Sequence, residues 1–149
     1  MTYTFVKANG GNIGKSLVED DKLDLAKEIL AACEQHNVKV YLPIDNVIAD
    51  DFNNEANRQI TAVGEIPEGW MGMDVAEETI KQNAEVIKNS KTILWNGPLG
   101  VFEMSNFAAG TVALGDAIAE ATANGAFSLV GGGDSVAFAK QFGYDTKVS

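Results

Sequence analysis

Apolar side chains recur along this chain in two alternating patterns, one typical of helices and one typical of strands. A 3.6-residue period predicts an amphipathic helix from Ser16 to about His36, with Ser16 and Glu19 forming a capping box at its start. Two further helices are predicted by the apolar positions Ala76, Ile80, Ala84, Ile87, and by Phe107, Leu114, Ala117, Ile118, Ala121. A last short helix is predicted from Ser135 to Phe142, after three glycines. Short β-branched and apolar runs predict strands at 38–42, 46–49, 92–95 and 127–130, whereas residues 50–65 are polar and predicted to be irregular.

Strands that alternate with helices of this length predict an α/β fold. The expected architecture is three-layered and Rossmann-like, a mainly parallel sheet with helices on both faces. In such sheets ligands bind at the carboxyl ends of the strands. Two loops follow strands at that end, 96–103 and 131–135, and they are the expected location of a binding or catalytic site.

Charge and composition narrow the classes of partner. The 149 residues carry 11 Lys plus Arg against 21 Asp plus Glu, a formal charge of −10, so nucleic acid and anionic membrane surfaces are not expected partners. A single cysteine excludes an internal disulfide framework. No apolar run is long enough for a membrane span and no secretory signal begins the chain, so a cytoplasmic location is expected.

Three glycines, Gly131 to Gly133, lead a predicted strand into a helix and carry the first candidate chemistry. Their unobstructed N–H groups and the positive helix end would suit a phosphate. A tight turn capped by Asp134 or Ser135, without a ligand, is the alternative. Because a carboxylate beside a phosphate repels it unless a divalent cation lies between them, Asp134 favours a metal-bound nucleotide, with simple capping as its competing role.

The loop after the preceding strand carries the second candidate group. Asn96-Gly97-Pro98 is typical of a turn, and Glu103 is the first charge after it. Such a carboxylate can accept hydrogen bonds from ribose hydroxyls, although a lone loop glutamate is more often simply solvated. Residues 70–73, Trp-Met-Gly-Met, suit an apolar base pocket or plain core packing.

Residues 9–16 nearly fit the P-loop pattern but have Asn9 where its first glycine should stand. Tyr3 to Val6 passes for the strand that a P-loop needs; the alternative is a Gly/Asn turn joining two helices. A dinucleotide fingerprint fits less well, because Val136 stands where its third glycine should be, and hydride transfer is disfavoured.

As strings of residues, these segments resemble the phosphoglycerate kinase family, in its order and at similar spacing. The matching runs are Ser16-Leu17-Val18-Glu19-Asp20-Asp21-Lys22, Gly69-Trp70-Met71-Gly72-Met73-Asp74, Trp95-Asn96-Gly97-Pro98-Leu99-Gly100-Val101-Phe102-Glu103 and Gly131-Gly132-Gly133-Asp134-Ser135. The resemblance implies reversible phosphoryl transfer between 1,3-bisphosphoglycerate and Mg-ADP, giving 3-phosphoglycerate and Mg-ATP in glycolysis. It also implies a turn at 10–15 instead of a P-loop.

The resemblance implies roles for individual residues. Asp134 corresponds to the side chain directed toward Mg²⁺, and the backbone N–H of Gly133 to a catalytic group facing the transferring phosphoryl. Glu103 corresponds to the ribose-binding glutamate. The other positions expected around ATP or ADP are Gly72, Met73, Asn96, Pro98, Val101, Gly132 and Ser135, with Met73 standing where the family more often has leucine.

The match covers well under half of a typical family member. Residues 1–149 are expected to be part of the carboxyl-terminal nucleotide-binding domain, without the amino-terminal domain that holds 3-phosphoglycerate. The parent enzyme is expected to be monomeric, and this portion to be marginally stable and inactive alone. The alternative is a stand-alone nucleotide-binding or interaction module without turnover.

Overall fold

Helices and strands alternate along residues 1–149, all of which the computed structural model describes. The chain divides into two units, Met1–Ala76 and Glu77–Ser149. The first contains α1 (Thr2–Ala8), β1 (Asn12–Ile13), a 3₁₀ turn (Asp20–Lys22), α2 (Leu23–Gln35), β2 (Asp45–Ala49), β3 (Arg58–Ala62), β4 (Glu65–Ile66) and β5 (Met71–Val75). The second contains α3 (Glu77–Lys88), β6 (Thr92–Asn96), a 3₁₀ turn (Ser105–Phe107), α4 (Ala109–Ala123), β7 (Phe127–Gly131) and α5 (Gly133–Gln141). The α/β class is confirmed.

The first unit is built on a three-stranded sheet with β2 at its centre. β3 and β5 flank β2 and both pair with it in the antiparallel direction, which the alternation of strands and helices does not predict. Ile48 and Ala49 of β2 are fully buried, as expected for a central strand. β1 and β4 form a separate parallel pair.

The second unit is built on a parallel pair of strands. β6 and β7 run in register from Thr92 opposite Phe127 to Asn96 opposite Gly131. α4 and α5 pack on β7, and α3 packs on α4. Trp95, Phe102, Phe138 and Tyr144 form the aromatic part of its core. This core holds the carboxyl ends of β6 and β7, where the predicted site loops begin.

Strongly periodic or β-branched segments are placed as predicted. β2, β6 and β7 each extend the predicted strand by a single residue, and α3 and α4 occupy the two later helical patterns. α5 begins at Gly133, two residues before the predicted start. The last of the three glycines therefore belongs to the helix itself.

The predicted start of the long helix at Ser16 is wrong. α2 begins at Leu23, and the capping box does not form because both of its members have tertiary partners. The Ser16 hydroxyl accepts the Gly72 N–H at 2.9 Å. The Glu19 N–H donates to the Thr4 hydroxyl at 3.1 Å. Long-range hydrogen bonds here replace the local ones that the sequence suggests.

Other local predictions are also corrected. Residues 38–42 form no strand, because no other strand pairs with them, and Val38, Val40 and Tyr41 are exposed. The segment predicted to be irregular contains β3, whose side chains lie mostly in solvent and so lack an apolar alternation. Residues 3–6, which pass for a strand in sequence, belong to α1. No helix of the chain is long and apolar enough to cross a membrane.

Candidate functional site

The second unit brings its two predicted site loops to neighbouring strand ends. Asn96, the last residue of β6, pairs with Gly131, the last residue of β7. Because the strands are parallel, the chain leaves both of them on the same edge of the sheet. The Asn96 side chain reaches toward the turn formed by Gly131 to Gly133, the glycine turn, since a Cβ built on Gly132 would lie 2.7 Å from the Asn96 Oδ1.

The backbone N–H groups of the glycine turn are not covered by side chains. Gly132 has φ +86° and ψ 143°, a conformation that essentially only glycine adopts. It is the N-cap residue of α5, and no side chain caps that helix. A Cβ built on Gly133 would meet nothing within 4 Å. The first turn of α5 therefore offers open N–H groups and the positive end of the helix dipole.

Neither Asp134 nor Ser135 caps α5. The structure therefore does not support the alternative in which this turn is simply capped by one of these side chains and binds no ligand. Asp134 is exposed in the first turn of the helix. Ser135 is 1% exposed, and its hydroxyl accepts the N–H of Gly97 at 2.7 Å. The Ser135 side chain thus supports the neighbouring loop, while Asp134 is the carboxylate that remains accessible beside the turn.

A magnesium ion fits this arrangement only together with a ligand. The chain has no group of three or more His, Cys, Asp or Glu side chains that could hold a metal by themselves. Mg²⁺ commonly takes one or two carboxylates and completes its shell with phosphate oxygens and water. One exposed carboxylate next to an uncovered glycine turn, the combination at Gly132 to Asp134, suits that mode.

The loop after β6 presents Glu103 from a fixed base. Phe102 is buried and meets the ring of Phe138 edge-to-face at a centroid distance of 5.2 Å. The carbonyl of Val101 accepts the Met104 N–H at 3.0 Å. Glu103, between these anchored residues, is exposed. Its carboxylate is therefore free to accept hydrogen bonds from a ligand.

Gly72 and Met73 lie on β5 of the first unit, and both have packing roles. Met73 is 3% exposed, so the core-packing interpretation of this residue is supported. A Cβ on Gly72 would collide with the hydroxyl of Tyr3. Tyr3 in turn donates to Asn46 Oδ1 at 3.1 Å. Burial, together with the nearby carboxylate of Asp74, raises the pKa of the Tyr3 phenol to about 12.

Residues 9–16, which nearly fit the P-loop pattern, do not form a P-loop. The element before it is α1, a helix, whereas a P-loop follows a strand. Residues 11–15 instead lie along an open cleft of about 700 Å³. Lys7, which also lines this cleft, is paired with Asp20. The segment is a turn between helices that includes the short strand β1.

Sequence reasoning missed two residues that the site loops depend on. Thr111 of α4 is fully buried, and its hydroxyl accepts hydrogen bonds from the loop after β6. Trp95 donates its indole N–H to the carbonyl of Gly97 at 3.1 Å. A threonine in the first turn of a helix next to a glycine-rich loop is the only signal that the sequence offered for the first of these.

Comparison with known proteins gives the same family that the loop sequences resemble. The phosphoglycerate kinase family model matches residues 1–149. A phosphoglycerate kinase from Porphyromonas gingivalis is 57% identical over the whole chain, and one from Chloroherpeton thalassium is 50% identical. The chain spans 36% and 38% of the lengths of these two relatives.

Solved structures give the same result for the fold. The structure of phosphoglycerate kinase from Coxiella burnetii matches 99% of this chain with a TM-score of 0.94 at 36% identity, and the match covers 37% of that protein. The phosphoglycerate kinase from Pyrococcus horikoshii matches 95% of the chain, and 35% of its own length, with a TM-score of 0.72 at 26% identity. The chain belongs to the phosphoglycerate kinase family.

Proposed function

We propose that this chain carries part of the ATP and ADP site of a phosphoglycerate kinase. The whole protein would transfer a phosphoryl group between 1,3-bisphosphoglycerate and Mg-ADP, giving 3-phosphoglycerate and Mg-ATP. The observation that supports this best is the pairing of Asn96 with Gly131. It puts the open glycine turn and the loop 97–103, which carries Glu103 and is termed the acidic loop, at one end of the sheet. That end is where α/β proteins bind nucleotides.

The glycine turn suits the nucleotide phosphates. The N–H groups of Gly132, Gly133 and Ser135 and the dipole of α5 would neutralise phosphate charge without a lysine, which accords with a chain of net charge −10. The N–H of Gly133 is proposed to face the transferring phosphoryl, where a fixed donor stabilises developing charge. Asp134 is proposed to hold Mg²⁺, which, when bound, would neutralise negative charge on the phosphates.

The acidic loop suits the nucleoside. The exposed carboxylate of Glu103 is proposed to accept hydrogen bonds from the ribose hydroxyls. Asn96, Pro98 and Val101 would line the same ligand, the first from the end of β6 and the other two from the loop that follows it. The proposed contacts of Gly72 and Met73 with the nucleotide rest on the family resemblance alone.

Residues 1–149 are proposed to form part of the carboxyl-terminal nucleotide-binding domain. The chain matches only 36% of the Porphyromonas gingivalis enzyme, so the domain that holds 3-phosphoglycerate is proposed to lie outside these residues. Phosphoryl transfer requires both substrates to be positioned in line. We therefore expect the 149-residue chain to bind Mg-ADP weakly and to show no phosphoglycerate-dependent consumption of ATP.

Calorimetric titration with Mg-ADP tests the proposed site. The chain is compared with Glu103→Ala, Asp134→Ala and a matched control, Asp145→Ala, which removes an exposed carboxylate beyond the opposite end of α5. Saturable binding that is retained by the control and weakened in both site variants supports the proposal. Binding that is equal in all four proteins, or its absence from a folded chain, contradicts it. Omitting Mg²⁺ should abolish or reverse the difference between the unmodified chain and Asp134→Ala, because without the cation the carboxylate repels the phosphates.

A further inference from the structure

The hydroxyl of Thr111 closes the loop after β6 onto the start of α4. It accepts the N–H of Leu99 at 3.2 Å and the N–H of Gly100 at 3.3 Å. Thr111 is completely buried, so its hydroxyl cannot reach a ligand in solvent. The first turn of α4 places it there, because helical side chains lean toward the amino terminus of their helix.

A second buried hydroxyl holds the other half of the same loop. Ser135, at the start of α5, accepts the N–H of Gly97. The residue between Gly97 and Leu99 is Pro98, which has no N–H to satisfy. Two hydroxyls from two helices therefore receive all the backbone donors of residues 97–100. Buried polar groups that are fully paired in this way fix a single conformation.

We propose that Thr111 is a positioning residue for nucleotide binding, a role that rests on the function proposed above. Its hydroxyl fixes loop 97–100, and through that loop sets the place of Val101 and Glu103. The position of loop 97–100 affects the Glu103 carboxylate directly, because only Val101 and Phe102 lie between them and Phe102 packs against Phe138. Removal of the hydroxyl frees two backbone donors and lets the acidic loop move without touching the ligand.

Amide hydrogen exchange and calorimetry on the 149-residue chain test this role. Thr111→Val removes the hydroxyl at nearly constant volume, and Thr111→Ser keeps it. Loss of an ordinary hydrogen bond is expected to speed exchange of the Leu99 and Gly100 amides roughly five- to tenfold in Thr111→Val. The dissociation constant for Mg-ADP is expected to rise about tenfold in the same variant, and Thr111→Ser should restore both values.

A matched control separates positioning from general loss of stability. Thr122 lies on the same helix, and its hydroxyl contacts the Ile118 carbonyl and the Ser128 hydroxyl, each at 2.7 Å. Thr122→Val is expected to lower stability while leaving the Leu99 amide and the affinity for Mg-ADP unchanged. If Thr111→Val fails to fold, Thr111→Ser decides: protected Leu99 and Gly100 amides support the role of the hydroxyl, and unprotected ones overturn it.

The outcomes separate this inference from the proposed function. Unchanged amide exchange of Leu99 and Gly100 in a folded Thr111→Val variant would show that the Thr111 hydroxyl does not anchor the loop. Faster exchange with unchanged affinity for Mg-ADP overturns the positioning role. If the unmodified chain binds no Mg-ADP, the proposed function fails, and the exchange rates still support or overturn the anchoring of the loop.

Discussion

Two adjacent glycines, the N-cap and the first residue of α5, occupy their positions for different physical reasons. Gly132 is required by the fold, because it has a positive φ and its Cβ position is taken by Asn96. Gly133 has neither constraint, and a side chain there would point into open space. The fold therefore leaves room at Gly133, and the proposed phosphate would occupy it.

Alanine substitutions at these two glycines should have opposite effects. Gly132→Ala is expected to cost about 1–3 kcal/mol of unfolding free energy, because it strains the turn. Gly133→Ala should leave stability unchanged or raise it by up to ~1 kcal/mol, as alanine favours helix, yet weaken Mg-ADP binding. Denaturant unfolding and calorimetric titration measure the two effects. Undiminished binding in Gly133→Ala would mean that no phosphate approaches this turn.

The raised pKa of Tyr3 predicts how stability depends on pH. The ordinary value for a tyrosine is about 10, and the pKa in the folded chain is about 12 because of burial and the Asp74 carboxylate. The neutral phenol is therefore favoured by folding. Its contribution is complete below about pH 10 and is lost as the pH rises through 12, a change of about 2 to 3 kcal/mol.

Tyr3→Phe should remove that part of the alkaline loss of stability. The variant is expected to be less stable than the parent at neutral pH, since Asn46 Oδ1 loses a donor. The difference between the two proteins should shrink from pH 10 to 12, measured by denaturant unfolding at each pH. Parallel stability curves for the two proteins across this range would show that the Tyr3 phenol ionises as it does in the unfolded chain.

At the level of elements, the sequence predicts those parts that carry their own signal. α3 and α4 have apolar residues at helical spacing, and β2, β6 and β7 are rich in β-branched or apolar residues, so pattern and structure agree on these elements. β2 is mostly buried, whereas β6 and β7 each bury a single residue. β3 is mostly exposed and exists because β2 pairs with it, a long-range cause that leaves no periodicity. Val38 to Leu42 has the composition of a strand but belongs to none of the sheets.

The site residues also fall into those that the sequence predicts and those that it does not. The glycine turn and Glu103 could be found from the sequence because each has a local signature, three glycines before a helix and a lone charge after a turn. The roles of Thr111 and Ser135 could not, since their hydroxyls act across 11 to 12 and 38 residues of sequence. Nothing local distinguishes a threonine that anchors a loop from one that packs in a core.

The aromatic cluster ties α5 to the core of the second unit. Phe138 is fully buried and contacts the rings of Trp95, Phe102, Phe142 and Tyr144 at centroid distances of 4.4 to 5.8 Å. Phe138→Ala is therefore expected to cost about 3–5 kcal/mol. Phe142→Ala is the matched control and should cost much less, because that ring is 39% exposed. Equal losses in denaturant unfolding would show that the cluster does not hold α5 in place.

On the scale of the whole molecule, one face of the β6–β7 pair is uncovered. Leu94 and Leu129 are opposite each other and are 66% and 52% exposed, with Phe127 beside them at 54%. Apolar surface on a sheet with two free edges favours association. We therefore expect the chain to be marginally stable and to self-associate as its concentration rises.

Sedimentation and thermal unfolding test this expectation. The Leu94→Thr, Leu129→Thr double variant should reduce the average mass at a given concentration, because it makes the face polar while keeping strand-forming residues. A change on the exposed surface of β3, Ile60→Thr, serves as a control for polar substitution of an exposed apolar residue elsewhere. A monomer that melts in one cooperative transition would count against marginal stability and association alike.

The most direct test of the central claim is an amide NMR spectrum of the chain titrated with Mg-ADP. The account predicts saturable shifts centred on residues Gly132 to Ser135 and on residues Asn96 to Glu103, with the Trp95 indole N–H moving with its partner Gly97. Shifts centred instead on the cleft at Gly11 to Lys15, or no shifts in a well-dispersed spectrum, would contradict it.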